Sequence, residues 1–145
     1  MSPFHAAHSL ILGMWGGLVA AEAVIEVLGT RRPELREAVT AVHFWLDLLV
    51  EIPILAGVVI SGALLLLTVN GLTLLLGVKI VAGLAAVASN AICIVRVVRR
   101  YRSLPLDEKA YLERTNGVMR TFYLGFPLAI AATVIGFLLV AGHAL

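Results

Sequence analysis

The chain is predicted to be all-α: an integral membrane four-helix bundle running up-down-up-down, with both termini outside. Three observations predict this. The composition is 61% hydrophobic and only 14% charged, with a mean hydropathy of +1.01, more apolar surface than a soluble domain of this length can hide. The apolar residues fall into long runs separated by short breaks. Ten of the eleven Lys and Arg residues lie in two segments, 31–36 and 96–120, Lys79 being the exception.

The first span is expected over residues 4–28, long enough at about 1.5 Å per residue to cross a hydrocarbon core of about 30 Å. No Lys or Arg precedes it and Arg31-Arg32 follows it, the reverse of a secretory leader. Gly29 suits its end and Pro33 the first turn of the next helix. The second helix is expected over 33–69, its first turns standing in water, with Pro53 kinking it and freeing the carbonyl of Leu49. Asn70-Gly71 predicts a tight turn. The third helix is expected over 72–102. The segment Ser103-Leu104-Pro105-Leu106-Asp107 then breaks the chain, with Asp107 as N-cap. The fourth helix is expected over 107–142, with an interruption at Asn116-Gly117 and a bend at Pro127. The whole chain, 1–145, reads as a single transmembrane domain.

Both basic segments fall on one side of this topology, and the positive-inside rule makes that side cytoplasmic. The charge pattern therefore describes a multi-pass protein of a plasma or inner membrane, with the lipid bilayer as its partner and no sign of nucleic-acid binding. A bundle this small is also expected to work as a homo-oligomer. Cys93, the single cysteine, excludes an intramolecular disulfide.

Four of the nine carboxylates interrupt the apolar runs: Glu22 and Glu26 in the first, Asp47 and Glu51 in the second. An ionisable side chain costs about 2.5–3.5 kcal/mol at a membrane centre on insertion scales, so such residues mark sites. His43, Asp47 and Glu51 recur every fourth residue, which puts them on one helix face. Glu22 and Glu26 share a face of the first helix with His8 and Trp15. A short turn between the two helices sets the stripes opposite each other in one register, Glu22 facing Asp47 and Glu26 facing His43. A middle register sets Glu22 facing His43, and the lowest offsets the two sets by about two turns. The third helix, turning at Asn70, brings Asn90 level with Glu51, and Asn90 shares a face with Lys79, Gly83 and Ala86.

Four carboxylates in a low dielectric need protons, basic partners or metal ions. Basic partners look scarce: Lys79 lies far along its helix, and Arg96 and Arg120 are near the cytoplasmic edge. Glu22, Glu26, His43, Asp47, Glu51 and Asn90 are therefore the expected ligands of one or two divalent transition metals, with oxygen and imidazole donors suited to iron, manganese or zinc. Di-iron and di-manganese bundles build such sites from inward-facing Glu and His, although their Glu-x-x-His spacing is absent here. Metal transport or metal-dependent redox chemistry would follow. The bland alternative for the same residues is a hydrogen-bonded, proton-carrying network.

Two other functions fit parts of the pattern. His8 and His143 form the one ready pair of axial ligands for a b-type haem in an oxidoreductase or electron carrier; His5 lies nearby. A membrane-embedded Glu shared by proton and substrate would make a small-molecule exporter, for which four carboxylates are an excess. The remaining polar and aromatic residues have simpler expectations. Trp15, Phe44 and Trp45 read as packing or interface anchors, Lys79 as snorkelling outward, Cys93 as core filling, and the Arg cluster 96–102 as a topology signal that attracts anionic lipid.

Overall fold

The computed structural model describes residues 3–69 and 71–142, and its regular elements there are all helical. Helix α1 spans Pro3–Arg31, α2 Pro33–Leu66, α3 Leu74–Tyr101 and α4 Glu108–Gly142, and all four are long and apolar enough to cross a membrane.

Helix α2 is not uniform. It opens with a 3₁₀ turn over Pro33–Leu35, is α-helical over Arg36–Leu46, widens to a π-helical turn over Asp47–Glu51 and returns to α over Ile52–Leu66. The Ile52 amide donates to the Asp47 carbonyl, five residues back. Pro53 accounts for the position of this turn: it has no N–H for the Leu49 carbonyl, and the backbone absorbs the misfit immediately before the ring. The sequence places a kink at Pro53; the structure places a π turn there, and it carries Asp47 and Glu51.

Helix boundaries differ from expectation around residue 70. Helix α2 ends at Leu66 rather than Val69, and α3 begins at Leu74 rather than Leu72. Thr73 caps α3, its hydroxyl accepting from the Leu76 amide at 3.2 Å; a side-chain cap satisfies an otherwise orphaned donor and fixes the start. Gly71 has φ +151°; Asn70, its expected partner in a tight turn, lies outside the described residues. At the other break, Asp107 Oδ1 accepts from the Ala110 amide at 2.7 Å, the expected N-cap. The expected interruption at Asn116-Gly117 is absent: α4 is continuous through it and through Pro127. The Arg96 side chain instead packs against the helix at Gly117 and donates to its carbonyl.

The buried residues of α1 recur at heptad spacing: His8, Trp15, Glu22 and Gly29, with Glu26 between the last two. Opposite them on α2, Ser61 meets His8, Glu51 meets Trp15, and His43 meets Glu26. Close approaches between α3 and α4 occur where one partner is glycine: Ser89 against Gly125, and Lys79 against Gly136. Small residues let helix backbones approach without a large apolar driving force. Phe44 of α2 stacks on Tyr101 of α3, centroids 4.1 Å apart and planes 5° from parallel.

Polar residues are concentrated inside. The buried apolar cluster is small, made of Trp15, Leu55, Val58 and Ala86, while Glu22, Glu26, His43, Asp47, Glu51 and Arg100 are all buried. Large apolar side chains such as Leu10, Val24, Leu67, Leu74, Val81 and Leu84 are exposed. That inversion is costly in water and natural in hydrocarbon, where exposed Leu and Val are solvated and polar groups must pair inside.

Candidate metal centre

Helices α1, α2 and α3 meet around His43. Glu22 and Glu26, one turn apart, point from α1; His43, Asp47 and Glu51 point from α2; Asn90 and Arg100 come from α3. Two observations order this cluster.

First, Glu26 is fully engaged. Arg100 Nη1 donates to Glu26 Oε2 at 2.6 Å and to Thr115 Oγ1 at 2.9 Å, and Arg100 Nη2 donates to Glu26 Oε1. His43 Nδ1 contacts the same Glu26 Oε1. Arg100 is 0% exposed and Glu26 1%. A carboxylate held by a guanidinium in this fork is ionised and can only accept. His43 Nδ1 must therefore carry the hydrogen. In the neutral ring this leaves the lone pair on Nε2, on the side away from Glu26.

Second, His43 Nε2 faces Asp47 and the Oε2 oxygen of Glu22. It lies 3.4 Å from Asp47 Oδ1 and 3.9 Å from Glu22 Oε2. Both Asp47 oxygens, Glu22 Oε1 and the Asn90 amide nitrogen are buried without a well-formed hydrogen bond; the Glu51 carboxyl interacts with both Asp47 and Asn90. Leaving such atoms unmet costs about 1–3 kcal/mol each, more when charged. Among the described residues, Glu22, His43 and Asp47 each offer one ligand atom such that all lie within 4.8 Å of one another. Metal bonds of about 2.0–2.2 Å put neighbouring atoms of a tetrahedron about 3.3–3.6 Å apart. The His43–Asp47 separation has that spacing and the His43–Glu22 separation is slightly wider.

The six expected ligands thus fall into three roles. Glu22, His43 and Asp47 converge. Glu26 does not offer a free oxygen; it sits behind His43 and fixes the ring, as carboxylates do behind ligating histidines. Glu51 lies one turn further on and accepts from Trp15 Nε1 at 3.3 Å. Asn90 lies beside Glu51, at the level the sequence expects, with its amide nitrogen short of a well-formed hydrogen bond.

Sequence reasoning missed Arg100, which it grouped with the surface arginines. The signal was present. Asn90, Cys93, Val97 and Arg100 follow the 3–4 spacing of one helix face, and the register that sets Asn90 level with Glu51 carries Arg100 to the depth of His43. Trp15 does more than anchor, since its indole N–H closes the cluster against Glu51. Lys79 is half-buried against Gly136 of α4, and Cys93 is half-buried on the cluster side of α3. Of the outer histidines, His8 is buried with Nδ1 2.7 Å from Ser61 Oγ; His143, its expected partner for haem, lies outside the described residues.

The cluster differs at its two ends. Towards the termini it is covered by the apolar layer of Trp15, Leu55, Val58 and Ala86. Towards the basic loops a chain of polar groups continues: Glu26, Arg100, Thr115, then Tyr111, whose ring lies under both Arg100 and Arg36 at 5.6 and 5.2 Å. Arg36 in turn pairs with exposed Glu108 at 2.8 Å. No protein-family model, curated protein or solved structure matches the chain.

Proposed function

We propose that this chain is an integral membrane protein, an up-down-up-down bundle with its basic loops cytoplasmic, that binds one divalent transition metal between Glu22, His43 and Asp47. The observation that carries the reading is the convergence of buried Glu22, His43 and Asp47, whose ligand atoms lie within 4.8 Å of one another, with the ring oriented from behind by Glu26 and Arg100. Three protein ligands leave a coordination position open, the form of a working rather than a structural site. The oxygen and imidazole donors suit iron, manganese or zinc.

Of the one or two metals expected, one suffices because Arg100 already balances Glu26. One divalent ion then neutralises Glu22 and Asp47, and the fourth carboxyl, Glu51, is met by a hydrogen bond from Trp15 and by its neighbour Asn90 rather than by the ion. Glu51 and Asn90 stand at the edge, able to hold a water or a substrate at the open position. The polar chain through Arg100 and Tyr111 supports loading from the cytoplasmic side, and the apolar layer around Trp15 supports closure on the other. A bound centre that does chemistry, or a metal reservoir, fits this asymmetry better than a through-pathway.

The test is elemental mass spectrometry on protein purified in mild detergent without chelator. The expected result is one Fe, Mn or Zn per chain, lost in Glu22→Ala and Asp47→Ala. Protein that is folded, metal-free and cannot be reloaded would leave a proton-carrying network as the reading of these residues.

A further inference from the structure

A second polar feature lies away from the metal centre, on the outer face of α3 and α4 near their basic ends. There a groove of about 630 Å³ runs between the two helices. Arg96 of α3 and Arg120 of α4 line it, with Asn116 between them and one carboxylate, Glu113, at its end. Ile92 and Leu124 continue the groove one turn deeper. Arg96 is held in place, its Nη1 donating to the Gly117 carbonyl. A Cβ at Gly117 would lie 3.4 Å from that same nitrogen, so the guanidinium packs closely on the helix there. Arg120 and Asn116 are exposed and have no comparable internal duty.

Depth favours one ligand chemistry. Helix α3 has 28 residues, about 42 Å at 1.5 Å per residue, against a hydrocarbon core of about 30 Å. About four residues at each end therefore stand at headgroup level, and Arg96, five before the end of α3, lies just inside them, within snorkelling reach of the headgroups. Ile92 and Leu124 then lie at acyl-chain depth. Two guanidiniums above an apolar lane match an amphiphile with a phosphate head and a hydrocarbon tail, and guanidinium recognises phosphate oxygens in forked geometry.

We propose that this groove binds an anionic phospholipid, its phosphate between Arg96 and Arg120 and an acyl chain along Ile92 and Leu124. The proposal rests on the membrane reading above but not on the metal.

The experiment is native mass spectrometry of the purified chain in detergent, titrated with phosphatidylglycerol, phosphatidylcholine or inorganic phosphate. Wild-type protein should retain phosphatidylglycerol in preference to phosphatidylcholine. Each of Arg96→Gln and Arg120→Gln should weaken that binding about 5-fold, the equivalent of about 1 kcal/mol per basic residue at a membrane surface. Arg102→Gln, exposed and outside the groove, should leave it unchanged. Arg120→Gln keeps the test valid if Arg96→Gln disturbs the α3–α4 contact. Equal retention of the two lipids, loss of binding in Arg102→Gln equal to that in Arg120→Gln, or displacement of phosphatidylglycerol by millimolar phosphate would each overturn the proposal. Flotation of the chain with liposomes reports separately on the membrane reading.

Discussion

Arg100 grips Glu26 with both terminal nitrogens, joining α3 to α1 across a site that α2 also enters through His43. All four helices are therefore tied at one point around one buried ion pair, α2 through His43 and α4 through Thr115, which also accepts from Arg100. Breaking such a pair from one side leaves an uncompensated charge and costs about 3–5 kcal/mol. Glu26→Ala and Arg100→Ala should each lower the thermal midpoint in detergent by that equivalent. The double variant Glu26→Leu/Arg100→Met should recover most of the loss, because an apolar pair of similar volume removes both charges together.

Metal affinity should respond to Glu26 even though its oxygens are taken. A carboxylate behind a ligating His typically contributes 10–100-fold to affinity. Glu26→Gln, which keeps the shape and loses the charge, is expected to weaken metal binding by that factor while leaving the stoichiometry at one. Equilibrium dialysis against a buffered metal series measures it. Acidification should weaken binding in wild type as well, since imidazole and carboxylate ligands must shed protons to coordinate.

Gly29 and Tyr111 make a second testable pair. A Cβ at Gly29 would run into the Tyr111 hydroxyl and the Val39 side chain, and Tyr111 is only 1% exposed with its hydroxyl unpartnered. Gly29→Ala should destabilise by about 1–3 kcal/mol through overpacking. Tyr111→Phe, which removes the atom in the way, should restore part of that loss. A double-mutant cycle on unfolding midpoints reads the coupling directly.

Trp15 is expected to matter through its N–H as well as its ring. Trp15→Phe keeps an aromatic side chain in the apolar layer but leaves Glu51 Oε1 without its donor at 3.3 Å. An abandoned buried acceptor costs about 1–3 kcal/mol. Trp15→Phe should therefore destabilise by about that much, and the companion change Glu51→Leu should reduce the penalty.

Much of this architecture was legible because apolar run length, caps and breakers act locally. The Asp107 cap and the positions of four apolar helices follow from them. So does the placing of each carboxylate stripe on one helix face, since four-residue spacing fixes a face; that the two stripes meet depends on the register between the helices. What was not legible depends on distance between helices. The π turn at Asp47–Glu51 relocates a misfit that Pro53 alone announces as a kink. Asn116-Gly117 looks like a break until Arg96 is seen lying across it. Arg100 sits in a run of arginines that composition reads as surface charge, and only the register of α3 against α2 turns it inward. It changes the reading of the chemistry: Glu26 becomes the support of His43, and of the one or two ions expected the proposal keeps one.

The central claim is that Glu22, His43 Nε2 and Asp47 hold one divalent metal. The most direct measurement is a calorimetric titration of chelator-stripped protein with Zn²⁺ and Mn²⁺ for wild type, Glu22→Gln, Asp47→Asn and the groove variant Arg120→Gln. The account predicts saturable binding of one ion per chain in wild type and Arg120→Gln, and loss of that event in Glu22→Gln and Asp47→Asn with folding retained. A folded wild type that takes up neither ion, or site variants that bind as tightly as wild type, would contradict it.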